Sequence, residues 1–98
     1  MALFPASSGG GNVKNYVVDI TSEAITQPFG SVYINPTPIA FTGVSVDLSK
    51  QAVQVEFIGT VGGAWCFAFI VNGELQAYLV RGTAGTISGK LYATVTDL

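Results

Sequence analysis

The chain contains no histidine and only one cysteine, Cys66. Without histidine it lacks the commonest general base, the commonest transition-metal ligand and the partner that serine or cysteine nucleophiles need. A single cysteine cannot form an intramolecular disulfide or hold zinc by itself. Because Cys66 stands beside Phe67 in an apolar segment, we expect a buried, inert thiol. These absences predict a protein that is not an enzyme and that has no cofactor and no metal.

Charge is also scarce, since charged residues make up 10% of the chain against about 25% in typical soluble domains. The four cations are scattered and form no basic cluster, so we expect neither nucleic acid nor membrane as a partner. Among the six acids, Glu56 and Glu74 are the one pair to weigh for glycoside hydrolysis. Glu56 lies on an alternating strand and Glu74 beside a tight turn, which argues against that role.

Long hydrophobic runs are missing as well. No apolar segment approaches the roughly 20 residues of a membrane-spanning helix. The N-terminal residues show no cationic start followed by an apolar stretch, so we expect no secretory signal and no transmembrane segment.

The most informative segment that is present is an apolar hairpin centred on Asn72-Gly73, a pair that favours a type I′ turn. This turn pairs Val71 with Glu74 and fixes the register of both strands. One face then carries large apolar side chains, which are Trp65, Phe67, Phe69, Tyr78 and Val80. The other face carries smaller ones, which are Cys66, Ala68, Ile70, Leu75, Ala77 and Leu79.

Two apolar faces on one hairpin both require a cover. Leaving the four large rings in water would forgo roughly 10–20 kcal/mol, more than a typical net stability of roughly 5–15 kcal/mol. The first interpretation makes the aromatic face the core of a sandwich, with Cys66 and Ala68 outside or half-covered. The second covers one face with another sheet and the other with another subunit. In the third, Trp65 and Tyr78 stack on sugar rings, although few polar groups stand nearby.

Short strand-like segments, separated by turns rich in Gly, Pro and Asn, recur along the chain at spacings typical of all-β folds. The pattern predicts an antiparallel β-sandwich or small barrel of about eight short strands, forming a single domain over residues 13–98. Residues 22–26 are the one segment that we consider for a helical turn. Residues 1–12 are predicted to form a flexible N-terminal arm in which Leu3 and Phe4 dock on a neighbouring subunit.

The glycine-rich start, Met1 to Gly11, and the Thr/Val/Gly-rich strands up to Thr96 resemble small phage or prophage virion proteins. Such proteins are head-decoration, tail or fibre-associated β-sandwich subunits that oligomerise. The resemblance implies a structural homo-oligomer that contacts other virion proteins and is assembled in the host cytoplasm. A carbohydrate-binding or host-recognition module, with a glycan as partner, is the alternative.

Overall fold

The computed structural model describes residues 12–59 and 64–98 of the chain, and these form eight β-strands without a helix. The predicted all-β antiparallel fold is therefore confirmed. The strands are β1 (Val13–Ile25), β2 (Gln27–Phe29), β3 (Val32–Ile34), β4 (Ile39–Ser45), β5 (Gln51–Gly59), β6 (Ala64–Val71), β7 (Glu74–Arg81) and β8 (Gly85–Asp97). Since the described residues include no helix, none is long and apolar enough to span a membrane. The predicted docking residues Leu3 and Phe4 lie outside the described residues.

The first sheet has three strands in the order β1-β8-β5, so that β8 is paired along both of its edges. The C-terminal half of β8 alternates between small or apolar side chains and polar ones. Leu91, Ala93 and Val95 are buried on the inner face, whereas Tyr92 is exposed on the outer face. This period of two is what a strand with one wet face requires.

The second sheet has five strands, and β7 is its central element. Strand β6 pairs with β7 along one edge from Val71 opposite Glu74 to Ala64 opposite Arg81. Along the other edge of β7, β3 pairs with the C-terminal end of the strand and β4 with its N-terminal half. Strand β2 pairs with the outer edge of β3. Asn72 and Gly73 both have positive φ, at 50° and 83°, as a type I′ turn demands. The predicted hairpin register is confirmed residue by residue.

Asn35 fills the gap between β3 and β4 on the edge of β7. Its side chain is fully buried, accepts a hydrogen bond from the Leu79 amide at 2.7 Å and donates one to the Thr37 carbonyl at 2.7 Å. The side-chain amide thus replaces one backbone–backbone hydrogen bond of the sheet, at the point where Pro36 and Pro38 interrupt strand pairing. A buried polar group is tolerated here because its hydrogen-bonding capacity is used.

The core lies between the two sheets and is built from the inner faces of both. Its largest fully buried apolar side chains are Ile25, Phe41, Leu75, Leu79, Ile87 and Leu91. At one side of the sandwich, β5 of the first sheet lies against β6 of the second.

The helical turn considered for residues 22–26 is wrong, because β1 continues through this segment to Ile25. The register of β1 against β8 shifts between Ile20 and Glu23, and Ser22 adopts a positive φ of 54°. The Ser22 amide donates to Ser88 Oγ at 2.9 Å. A β-bulge therefore breaks the alternation that sequence reasoning expects of a regular strand. Strands β1 and β8 are also longer than predicted, at 13 residues each.

Near this bulge, the first sheet requires glycine at position 89. A Cβ on Gly89 would clash with the Ile58 carbonyl oxygen and would lie 2.6 Å from Gly59 Cα. Both contacts are to backbone atoms, which cannot rotate away. Gly89 therefore lets β5 approach β8 closely beside the point where β1 bulges.

We expect Asn35→Ala to lower the free energy of unfolding by about 2–4 kcal/mol, because it removes two hydrogen bonds and leaves the Leu79 amide buried without a partner. Denaturant titration measures the loss. Thr37→Ala is the matched control and should cost less than about 0.5 kcal/mol, since Thr37 contributes its backbone carbonyl to this contact. A loss below about 1 kcal/mol in Asn35→Ala would contradict the assigned role of the side chain.

Candidate functional site

The candidate site is the outer face of the β6–β7 hairpin, which we call the aromatic face. It consists of the five residues that the sequence singles out, Trp65, Phe67, Phe69, Tyr78 and Val80. Strand register places them together, because Trp65 pairs with Val80, Phe67 with Tyr78, and Phe69 with Gln76. On the inner face of the same hairpin, Leu75, Ala77 and Leu79 are fully buried.

The interpretation that the aromatic face forms the intramolecular core is wrong. Cys66, Ala68 and Ile70 pack against the buried core cluster, whereas Trp65 is 63% exposed and Phe67 is 43% exposed. The physical reason lies in side-chain size. Alanine and cysteine on the inner face allow the opposite sheet to approach, while a tryptophan and two phenylalanines would hold it away.

Three of the rings form a cluster on the aromatic face. The Phe69 and Tyr78 ring centroids are 5.3 Å apart with an interplanar angle of 20°. The Phe67 ring lies 5.5 Å from that of Tyr78 and 6.5 Å from that of Phe69. These contacts leave Phe69 and Tyr78 half-buried without any partner chain. The hydrophobic cost of the face is therefore smaller than four fully wetted rings would imply, and it is concentrated at Trp65 and Phe67.

Few polar groups border the aromatic face. Gln76 Nε2 donates to Glu74 Oε1 at 3.2 Å, so these two side chains interact with each other. Arg81 follows Val80 in the alternation and belongs to the opposite face, where it pairs with Tyr33, a residue packed on the core. The face thus offers a large apolar surface whose polar groups are those of Gln76, Glu74 and the Tyr78 hydroxyl.

The described residues contain no group of three or more His, Cys, Asp or Glu side chains that could hold a metal ion. Glu56 pairs with Tyr92 on the outer face of the first sheet, and Glu74 lies on the outer face of the second. The two carboxylates therefore lie on opposite sides of the sandwich and cannot flank one glycosidic bond.

Cys66 is half-buried rather than fully buried, and its side chain packs against the core. Burial raises the pKa of the Cys66 thiol, and this effect outweighs a backbone hydrogen bond with Phe57 that lowers it. A thiol with a raised pKa holds little thiolate at neutral pH and is a poor nucleophile.

Sequence reasoning missed a second surface, on the outer face of the first sheet between β5 and β8. A shallow depression with a cavity volume of about 410 Å³ lies there, lined by Gln54, Val55, Glu56, Tyr92 and Thr94. The sequence contains the alternation that produces this surface, because Gln54 and Glu56 share one face of β5, and Tyr92 and Thr94 share one face of β8. Only the pairing of β5 with β8 brings the two sets together.

Comparison of the chain with protein-family models, with curated proteins and with solved structures gave no match in any of the three.

We expect Cys66 in the folded protein to react with iodoacetamide at neutral pH more slowly than in the urea-unfolded chain, because burial raises the pKa of its thiol and packing against the core restricts access. Mass spectrometry of timed samples measures both rates. The folded rate should rise as the pH is raised, because the thiolate then forms. Equal rates for folded and unfolded chains would contradict the packing of this thiol.

Proposed function

We propose that this protein is a non-enzymatic structural subunit that self-associates through the aromatic face. The observation that carries the proposal is the apolar outer surface of the β6–β7 hairpin, which no described residue covers. Contiguous exposed apolar patches are characteristic of protein interaction sites and ligand-binding grooves.

A second copy of the chain is the occupant that fits this surface best. Within the described part of the chain, the aromatic face carries a single charge, Glu74, whose carboxylate accepts a hydrogen bond from Gln76. Two such faces related by a twofold axis bring together apolar side chains without a cluster of like charges. Two flat sheet faces also pack naturally at the spacing of a β-sandwich, about 10 Å.

The exposed area sets the expected strength of association. Covering the exposed parts of Trp65 and Phe67 removes about 250 Å² of apolar surface per copy. For two copies this is worth about 12 kcal/mol, against association costs of about 4–15 kcal/mol. The two rings alone therefore supply at most about 8 kcal/mol, which corresponds to micromolar self-association at its strongest, and further copies or other proteins would strengthen it.

The wider setting that we propose is a virion, where the subunit would serve as a head-decoration, tail or fibre-associated component. The resemblance in composition to small phage and prophage proteins supports this setting, as does the low surface charge. The all-β sandwich is the fold expected of such subunits.

The competing function is glycan recognition by the same face, with Trp65 as the stacking platform. Its favouring observation is the exposed indole of Trp65. Against it stands the position of the amide and the carboxylate of this face, because Gln76 pairs with Phe69 and Glu74 with Val71, well along the hairpin from Trp65. An apolar partner suits this surface better than a polyhydroxylated one.

Phe67→Ser should convert the oligomer to monomer at micromolar concentration while the domain stays folded, since Phe67 is partly exposed and lies outside the core. Sedimentation velocity measures the mass, and thermal unfolding monitors the fold. Val17→Ser is the matched control, because Val17 is 54% exposed on the outer face of the other sheet. It should leave the oligomer intact.

Two results would contradict the proposal of assembly through this face. One is a wild-type chain that stays monomeric at high micromolar concentration. The other is a Phe67→Ser variant that keeps the wild-type mass. A monomer whose Trp65 indole resonance moves on addition of a glycan would instead support the competing function.

Deleting residues 2–11 should weaken docking on neighbouring subunits and leave the domain folded. The physical reason is that Leu3 and Phe4 are the apolar side chains of the predicted arm, whereas β1 begins at Val13. Sedimentation velocity and thermal unfolding measure the two effects. The double substitution of Leu3 and Phe4 by serine tests the side chains at constant length. Loss of the folded domain on deletion would refute the assignment of an arm.

A further inference from the structure

The outer face of the first sheet carries a polar furrow along the β5–β8 pair, on the opposite side of the sandwich from the aromatic face. Two adjoining depressions share Gln54 and Thr94, with cavity volumes of about 410 Å³ and about 270 Å³. The first reaches Glu56 and Tyr92, and the second reaches Ala52 and Thr96. The furrow follows the strands over five consecutive cross-strand pairs, a length of about 13–17 Å at the rise of a β-strand.

Side chains in the furrow have hydrogen-bonding capacity to spare. Within residues 12–59 and 64–98, neither Gln54 nor Glu56 makes a side-chain hydrogen bond to another protein group. Thr94 Oγ1 donates to Asn15 Oδ1 at 3.0 Å, which leaves lone pairs of the hydroxyl oxygen free. The furrow therefore combines an amide, a carboxylate and a hydroxyl that all point away from the core.

Tyr92 contributes the aromatic surface of the furrow. The residue is 38% exposed, and its strand neighbours are Glu56 on β5 and Val17 on β1. The exposed part of this tyrosine therefore stands beside the polar side chains that line the furrow. On the aromatic face, by contrast, the most exposed ring, that of Trp65, pairs with the apolar Val80.

Charge narrows the class of ligand. Among the described residues, Glu56 is the one ionised group that lines the furrow, and the nearby Lys90 on the same face is held by Asp19 in an ion pair. An anionic ligand would meet an uncompensated carboxylate. A neutral ligand rich in hydroxyl groups would donate to Glu56, exchange hydrogen bonds with Gln54, and stack its apolar ring face on Tyr92.

We infer that this polar furrow binds a neutral, linear oligosaccharide, with Tyr92 as the stacking ring and Gln54 and Glu56 as hydrogen-bonding partners. This inference goes beyond the proposed assembly and does not depend on it, because the two surfaces belong to different sheets. If the aromatic face is covered by a second copy, the furrow stays open to solvent.

The test is a titration of isotope-labelled full-length protein with cellopentaose, maltopentaose and chitotetraose, followed by NMR. We expect saturable shifts of the Gln54 side-chain amide and the Tyr92 ring with at least one of the three, in the millimolar range. The Trp65 indole N–H should not move. A galacturonic acid trimer should bind more weakly than the neutral sugars, because Glu56 repels it.

Tyr92→Ala should raise the dissociation constant about tenfold, the loss expected for one stacking contact. Tyr92→Phe is the matched control, because it keeps the ring and removes only the hydroxyl, and it should bind nearly as well as the wild type. Thermal unfolding checks that both variants are folded, and Gln54→Ala gives a second test that leaves the ring intact.

The inference fails if none of the three sugars shifts the Gln54 or Tyr92 signals, or if Tyr92→Ala binds as tightly as the wild type. Shifts confined to Trp65 would also overturn it and would assign the sugar to the aromatic face. Since Phe67→Ser is expected to abolish assembly and leave the furrow untouched, sugar binding by that variant separates the two proposals.

Discussion

The close packing of the two sheets over the small side chains of the β6–β7 hairpin determines most of what this molecule exposes. Ala68 and Ala77 pair directly across the hairpin, and Ala77 is fully buried. At this point the opposite sheet meets little more than methyl groups, so the sandwich closes with Leu75 and Leu79 sealed on either side of the pair. The alternation of a strand then leaves the large rings no position except the outside.

The consequence is a sandwich whose two outer surfaces differ in chemistry. The outer face of the five-stranded sheet shows clustered rings with few polar groups, and that of the three-stranded sheet shows threonine, glutamine and glutamate around one tyrosine. An apolar surface gains free energy by meeting another apolar surface, whereas a polar furrow loses little by staying wet. The same fold therefore places a surface suited to assembly on one sheet and a polar surface that can remain exposed to solvent on the other.

Local sequence was sufficient for the parts of the fold that depend on neighbouring residues. Asn72-Gly73 determines the turn, the turn determines the register, and the register determines which five side chains share the aromatic face. It was insufficient for the direction in which that face points, because both faces are apolar and alternation alone does not distinguish them. That choice depends on the volume supplied by the opposite sheet, which is distant in sequence.

The other differences from expectation have the same origin. The bulge at Ser22 is stabilised by Ser88, which lies 66 residues further along the chain. The amide of Asn35 completes a rung with Leu79, at a separation of 44 residues. Neither contact leaves a local pattern in the sequence, whereas the prolines that flank Asn35 do show that pairing is interrupted. The polar furrow was missed for the same reason, since its lining residues come together only when β5 pairs with β8.

The position of the single tryptophan has a practical consequence. Because Trp65 is the chain's only indole and one of the most exposed side chains of the aromatic face, its emission spectrum reports on that surface alone. Any molecule that covers the hairpin will shift the emission to shorter wavelength, whereas events at Tyr92 will leave it unchanged. The protein thus carries an intrinsic optical probe that distinguishes its two sides without labelling.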